Sequence, residues 1–327
     1  MGIATQLSNE GWKIGDKIAI RDGYGKGLVA VGEQFDDVVA LDADLAGSTR
    51  SNWFQERWPD RFVQMGIAEQ DMVVTAAGMA HMGLTPFAST FATFLQRGWE
   101  QIRNCVARQQ LNVKFCGSHG GLMTGQDGSS AHALEDVGVM RTLPNMNVVV
   151  PGDAVEAAGA VFAMYQHEGP AYMRSTRAAA PVLHDQDYDF QWGKGTVLRD
   201  GVDVALIANG PHVSIAMDVA AEAAKQDLSV AVVSMASVKP IDEALVQKMA
   251  RHCGYVVTAE DHFRNNGLGT AVAECIADAG IPAPLRRIGV SRFTTSGTPE
   301  ELYRHFEVDD QKILKVVTEA RRTIHAP

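Results

Sequence analysis

The chain has 327 residues, enough for two domains of ordinary size, and its 46% hydrophobic and 21% charged residues are those of a soluble globular protein. Its 39 acids against 29 bases give a net charge of −10, which argues against a broad nucleic-acid or anionic-membrane surface but leaves a few arginines free to hold a small anion. The four cysteines (Cys105, Cys116, Cys253, Cys275) form no CxxC pair or metal-ligand spacing, no apolar run is long enough to span a membrane, and the opening MGIATQLSNEGWKIGDK lacks a signal-peptide core. A cytoplasmic, reducing location is expected, with no nucleic-acid or membrane partner.

In chain order, DDVVALDAD reads as a strand ending in acids, and AEQDMVVTAAGMAHMG as a helix that stops at Gly83. Leu95, Trp99, Ile102 and Val106 recur at helical spacing in FLQRGWEQIRNCVARQQ, and NVKFCGS, NVVVPGD and AYMRS are apolar strands bounded by Gly, Pro or Asp. The pattern lapses over roughly residues 180–195, a polar stretch with Pro and Gly. It resumes with DVALIANG, a helix to about residue 225, LSVAVVSM, a helix from Asp242, GYVVTAED, GLGTAVAECIADAG and APLRRIGV. Strand and helix in alternation predict an α/β protein of two parallel-sheet-rich domains, each sheet covered on both faces. In such sheets the working residues lie beyond the carboxyl ends of the strands, here the loops DADLAGSTR, GIAEQ, FASTFATF, GSHGGLMTGQDGSSAHALED, MRSTR and EDHFRNNGLG.

One of these loops poses a question. QMGIAEQDMVVTAAGMA is almost wholly apolar beyond its start, yet opens with Glu69 and Asp71. A carboxylate at a buried helix start costs free energy, and the favourable helix dipole is the plain explanation for it.

Taken together, FVQMGIAEQDMVVTAAGMAHMGLTPFASTFATFLQRGWEQIRNCVA, GQDGSSAHALEDVGVMRTLPNMNVVVPGD and SVKPIDE resemble, in content and order, the carboxyl-terminal half of the transketolase family, from about Ile18 onward. The resemblance implies a pyrimidine-binding domain (1–185), a linker (186–196) and a transketolase C-terminal-type domain (197–327). It also implies thiamine diphosphate, whose reactive C2–H is deprotonated by the cofactor's own 4′-amino group once a carboxyl engages N1′ of the aminopyrimidine. Glu69 matches that carboxyl. Phe94 matches the aromatic that stacks on the pyrimidine; Phe91 either joins it or packs in the core. Arg97 would touch cofactor or substrate, or pair with a carboxylate. His119 and Asp127 match sugar-contacting positions, and Arg21, Ser48 and Arg177 match phosphate contacts, where a guanidinium fork suits an anionic oxygen pair. Arg174 is the neighbouring alternative to Arg177, while Glu260 and His262 match an interface loop and read as structural.

Two departures from the family stand out. Where transketolases commonly read Gly-Glu-Asp-Gly-Pro-Thr-His-Gln, residues 125–132 read GQDGSSAH, so that Ala131 replaces the sugar-binding histidine and His132 follows one place later. His132 is either a substrate contact or a capping residue, and the sugar is expected to differ. The Gly-Asp-Gly motif that holds Mg²⁺ for the diphosphate is also absent, and no residue here is expected to ligate the metal. The implied protein is one subunit of a split transketolase that transfers a two-carbon ketol unit from a ketose, commonly a sugar phosphate, to an aldose. A diphosphate-binding partner would supply the Mg²⁺ grip in an α2β2 assembly. The β subunit of a 2-oxo acid dehydrogenase E1 component and a catalytically silent regulatory subunit are the alternatives.

Overall fold

The computed structural model describes residues 11–324, with side chains to residue 320. The first ten residues, which contain part of the opening segment read for targeting signals, lie outside the described residues. Among the described residues no helix is long and apolar enough to cross a membrane.

The first sheet has seven strands, running edge to edge as Ser237–Lys239, Asn147–Val149, Ala171–Arg174, Lys114–Ser118, Thr85–Phe91, Val38–Asp42 and Phe62–Gln64. All neighbours are parallel except Ser237–Lys239, which joins the edge antiparallel to Asn147–Val149. Every residue of Thr85–Phe91 and of Val38–Asp42 is buried, as expected of strands covered on both faces. Alternation divides them: Val38 and Ala40 face a core with Tyr24, Leu28 and Phe87, whereas Val39 and Leu41 face Met72, Leu95 and Ile102.

The helices Ile20–Gln34 and Ala154–Gln166 pack tightly together on the first of these faces. Gly23 and Gly27, one turn apart, make the contact, since a Cβ on Gly23 would sit 2.1 Å from Ala154 O and one on Gly27 2.9 Å from Val161 Cβ. The helix Glu69–His81 contributes Met72 and Val73 to the opposite core. The stretch expected as one helix beyond Phe91 is segmented instead: α over Ala92–Leu95, 3₁₀ over Gln96–Gly98, α over Trp99–Gln101 and a π turn over Ile102–Ala107. The change of pitch still buries Leu95, Ile102 and Val106.

The second sheet runs Leu285–Val290, Val256–Phe263, Val204–Ala208, Val230–Ser234 and Thr196–Arg199, the first four parallel and the last antiparallel. Helix Glu243–Cys253 starts where expected, with the Asp242 side chain accepting from Leu245 N. The polar stretch between the sheets is no loose tether. Phe190 is buried, Trp192 Nε1 donates to Ala163 O at 3.0 Å, and Ala179–Pro181 pairs with Lys17–Ala19. Beside it, buried His184 lies 3.0 Å from Asp153 Oδ2 and 3.9 Å from Glu156 Oε1, and Tyr188 Oη donates to Glu156 at 3.0 Å.

Candidate functional site

Five segments that follow strand ends of the first sheet converge on one side of it, as the doubly covered parallel architecture dictates. Glu69 opens its helix just beyond Phe62–Gln64, its side chain only 3% exposed, with Oε2 3.2 Å from Nε of the largely exposed Arg97. Of the alternatives for Arg97, pairing with a carboxylate is the contact present. Phe91 and Phe94 stack with centroids 5.4 Å apart and planes 12° apart, and Phe91 also stacks on His119 at 3.8 Å. Phe91 is buried and Phe94 half-buried, so an aromatic wall runs from the Arg97 turn to His119.

His119 is held in the left-handed region at φ +58°, uncommon for a side chain of this size. Its carbonyl accepts from Thr124 Oγ1 at 2.6 Å and its Nδ1 is hydrogen-bonded to Ser118 Oγ at 2.9 Å. Burial, and then the guanidinium charges of Arg21, Arg177 and Arg50, push the imidazole down to a pKa of about 3. The ring is therefore neutral while facing three cations.

Each arginine is fixed differently. Arg21 Nη1 donates to Ser48 O at 3.0 Å, while its buried Nε has no partner. Burial and the Arg50 charge both lower its pKa. Arg177 Nη1 donates to Asp127 Oδ1 at 2.8 Å and to Thr124 O at 3.2 Å. The expected residues thus meet in pairs, Arg21 with Ser48 and Arg177 with Asp127, around His119. Sequence reading missed Arg50, which has φ +72°, an Nε contact to Asp22 Oδ1 at 2.6 Å and its guanidinium over the Trp53 ring. The loop that carries Ser48 and Arg50 is shaped by buried Asp42. Its Oδ2 accepts from Thr49 and Ser51 at 2.7 and 2.9 Å and its Oδ1 from Leu45 N at 2.6 Å; burial raises its pKa to about 6 despite these bonds.

Other expected residues face inward. His132 has both ring nitrogens engaged: Nε2 donates to Gly125 O at 2.8 Å, which leaves Nδ1 to accept from Thr294 Oγ1 at 2.7 Å. No ring nitrogen remains for a sugar. Arg174, the alternative to Arg177, is buried in an ion pair with Asp136 and also donates to Ala133 O at 3.1 Å, so it serves the fold. Glu260 accepts from Leu268 N and Gly269 N at the start of helix Leu268–Asp278 and is raised to about 7 by burial. His262 is likewise internal, donating from Nδ1 to Phe263 O and accepting at Nε2 from Gly138 N. Among the described residues no three His, Cys, Asp or Glu side chains come together as a metal would require.

Residues 16–182 match the family model of the transketolase pyrimidine-binding domain, and residues 193–313 match that of the transketolase C-terminal domain. A putative transketolase C-terminal section from Methanocaldococcus jannaschii is 39% identical, over 92% of this chain and 95% of that one. One of the subunits of the apulose-4-phosphate transketolase of Phocaeicola vulgatus is 35% identical, over 92% of this chain and 97% of its own. A solved split-gene transketolase, described as an inactive β4 tetramer, superposes with a TM-score of 0.87 at 40% identity, over 93% of this chain and 98% of that one. Against full-length mammalian transketolases the chain spans about half their length, 49%. It belongs to the transketolase family, corresponding to the carboxyl-terminal section that some relatives carry as a separate chain.

Proposed function

We propose that this chain is the pyrimidine-side subunit of a thiamine-diphosphate-dependent transketolase, working with a diphosphate-binding partner that supplies most of the Mg²⁺ coordination. The carrying observation is Glu69, a buried carboxylate at a helix start beside the Phe91–Phe94 stack. A flat, weakly basic aminopyrimidine fits there: Glu69 is buried with, among the described residues, only the largely exposed Arg97 paired to it, and half-buried Phe94 has a ring face to offer.

When bound, thiamine diphosphate supplies the carbon that accepts and hands on the two-carbon ketol unit. Glu69 would hold a proton at N1′ of the pyrimidine, and Arg97 would leave Glu69 to contact cofactor or substrate. Phe94, backed by Phe91, would cover the ring and exclude water from it. Neutral His119 would hydrogen-bond the sugar, with Asp127 at a hydroxyl, while Arg21, Ser48 and Arg177 receive its anionic end. The surplus of guanidinium charge around an uncharged imidazole favours a phosphate or similar group at that end. The phosphorylated sugar in the name of the Phocaeicola relative supports that class of substrate. The domain division at 1–185, 186–196 and 197–327, the α2β2 assembly and a cytoplasmic location belong to the same proposal.

Glu69→Gln tests it. In the mixed complex with a diphosphate-binding subunit, ketol transfer should fall by about 10² or more while assembly is retained, because acid–base roles of this kind carry factors of roughly 10² to 10⁴. Retention of more than about a tenth of the activity would remove Glu69 from the chemistry.

A further inference from the structure

The loop over residues 117–136 presents His119 and Asp127 on one side, and its other side is gripped by the second sheet's domain. Asp261, buried near the end of Val256–Phe263, accepts from two successive loop amides: Leu122 N at 2.9 Å through Oδ1 and Met123 N at 3.2 Å through Oδ2. Its Oδ2 also accepts from Tyr303 Oη at 3.0 Å. Two residues on, Phe263 N donates to Leu134 O at 2.7 Å, so one strand end holds both arms of the loop. The tip is held as well, by Thr294 through His132 and by Ser296 Oγ donating to Gln126 O at 2.7 Å. The arms are joined by Gly121 N donating to Ala133 O at 2.8 Å.

The grip reaches the site in few steps. Thr124, next after Met123, donates its hydroxyl to His119 O and accepts Arg177 on its own carbonyl, and Arg177 in turn holds Asp127. Gly121 shows how closely the parts are fitted. It lies at φ +76°, and a Cβ there would sit 2.2 Å from Asp261 Oδ2, so only glycine lets the carboxylate approach.

We propose that Asp261 is a positioning residue for sugar selection: by holding the Leu122 and Met123 amides it fixes the backbone that presents His119, Asp127 and Arg177. The assignment rests on the transketolase reading above, and it gives the second domain a part in choosing the substrate. A carboxylate serves both amides at once. An amide side chain accepts from one and turns an N–H toward the other, leaving a buried donor unpaired.

Asp261→Asn should therefore speed hydrogen exchange at Leu122 and Met123 by about tenfold or more in the full chain, which needs no partner and no activity. Thr294→Val, which removes one hydroxyl from the tip, should loosen residues 125–132 in the same direction and guards against an Asp261 variant that fails to fold. With a diphosphate-binding subunit added, Asp261→Asn should raise KM for a phosphorylated ketose about tenfold, with a smaller change in kcat and none in thiamine diphosphate affinity. Unchanged exchange in both variants overturns the clamp. Faster exchange with an unchanged donor KM, or with kcat, KM and cofactor affinity all lost together, overturns its role in selection. A wild-type complex that transfers no ketol unit from any sugar would fail the transketolase reading instead, and the exchange result would still decide the clamp.

Discussion

His119 should remain uncharged across the whole physiological pH range. Burial, reinforced by Arg21, Arg177 and Arg50, takes its pKa from 6.5 to about 3. That difference corresponds to about 5 kcal/mol against charging the ring in the folded state. The sign follows from linkage: the unfolded chain takes up the proton at a higher pH than the folded one, so this group costs nothing above about pH 6.5 and erodes stability as the pH falls below it. The loss is about 2 kcal/mol by pH 5 and approaches its full value only near pH 3. The assay is a ring-proton NMR titration of the ten histidines, with the His119 signal assigned by its disappearance in His119→Gln. The wild-type signal should not move between pH 9 and about pH 4.5. Removing single charges should raise the pKa in the order Arg21→Met, then Arg177→Met, then Arg50→Met, following the strength of each on the ring. All three should stay below the free-histidine value, because burial is the larger cause. A wild-type midpoint at or above about 5.5, or no response to any of the three substitutions, would refute the picture of a neutral ring ringed by cations.

Arg177→Ala should raise KM for anionic sugars by about tenfold or more while sparing neutral ones, and an equal loss for both would move the anion contact to another residue. His184 resists the lowering effect of burial because Glu156 and Asp153 outweigh it, and its pKa is raised to about 8. Its pairing contributes about 2 kcal/mol that is fully present below about pH 6.5 and lost as the pH rises through 8, so the urea midpoint should fall across that window in the wild type and stay flatter in His184→Gln. Gly23→Ala should destabilise the chain by about 2 kcal/mol, read as a lower unfolding midpoint, because the added methyl meets the Ala154 backbone, which cannot rotate away.

Val38–Asp42, Asn147–Val149 and Val204–Ala208 were readable because each lies in an apolar run closed by Asp, Pro or Gly, and Asp242 marked its helix as a capping residue. The central strand Thr85–Phe91 was not, since Thr, Pro and Ser break its apolar run and FASTFATF read as a loop. Nor was the segmented stretch Ala92–Ala107, since apolar spacing of three and four fits both a straight helix and one that changes pitch. Ser237–Lys239 was not read as a strand because three residues before a proline carry no periodicity; its pairing depends on a partner strand nearly ninety positions earlier. At the site, Glu69 and the two phenylalanines were singled out as candidates by motif context. Arg50 was not, because a left-handed arginine has no sequence signature, and its neighbours Thr49 and Ser51 act through Asp42. His132 shows the opposite limit: the sequence put a histidine beside the altered position, but only the fold reveals that Thr294 and Gly125 O occupy it.

The strand Ser237–Lys239 makes the first sheet a shared possession. A chain cut at the polar stretch after residue 185 would leave Asn147–Val149 with a bare edge, a row of amides and carbonyls open to any other strand. Exchanging the second half for that of a relative would transplant the finishing strand along with it, so the graft must suit two sheets at once. The boundary at which this molecule can be divided or recombined is therefore not the one its two sheets suggest.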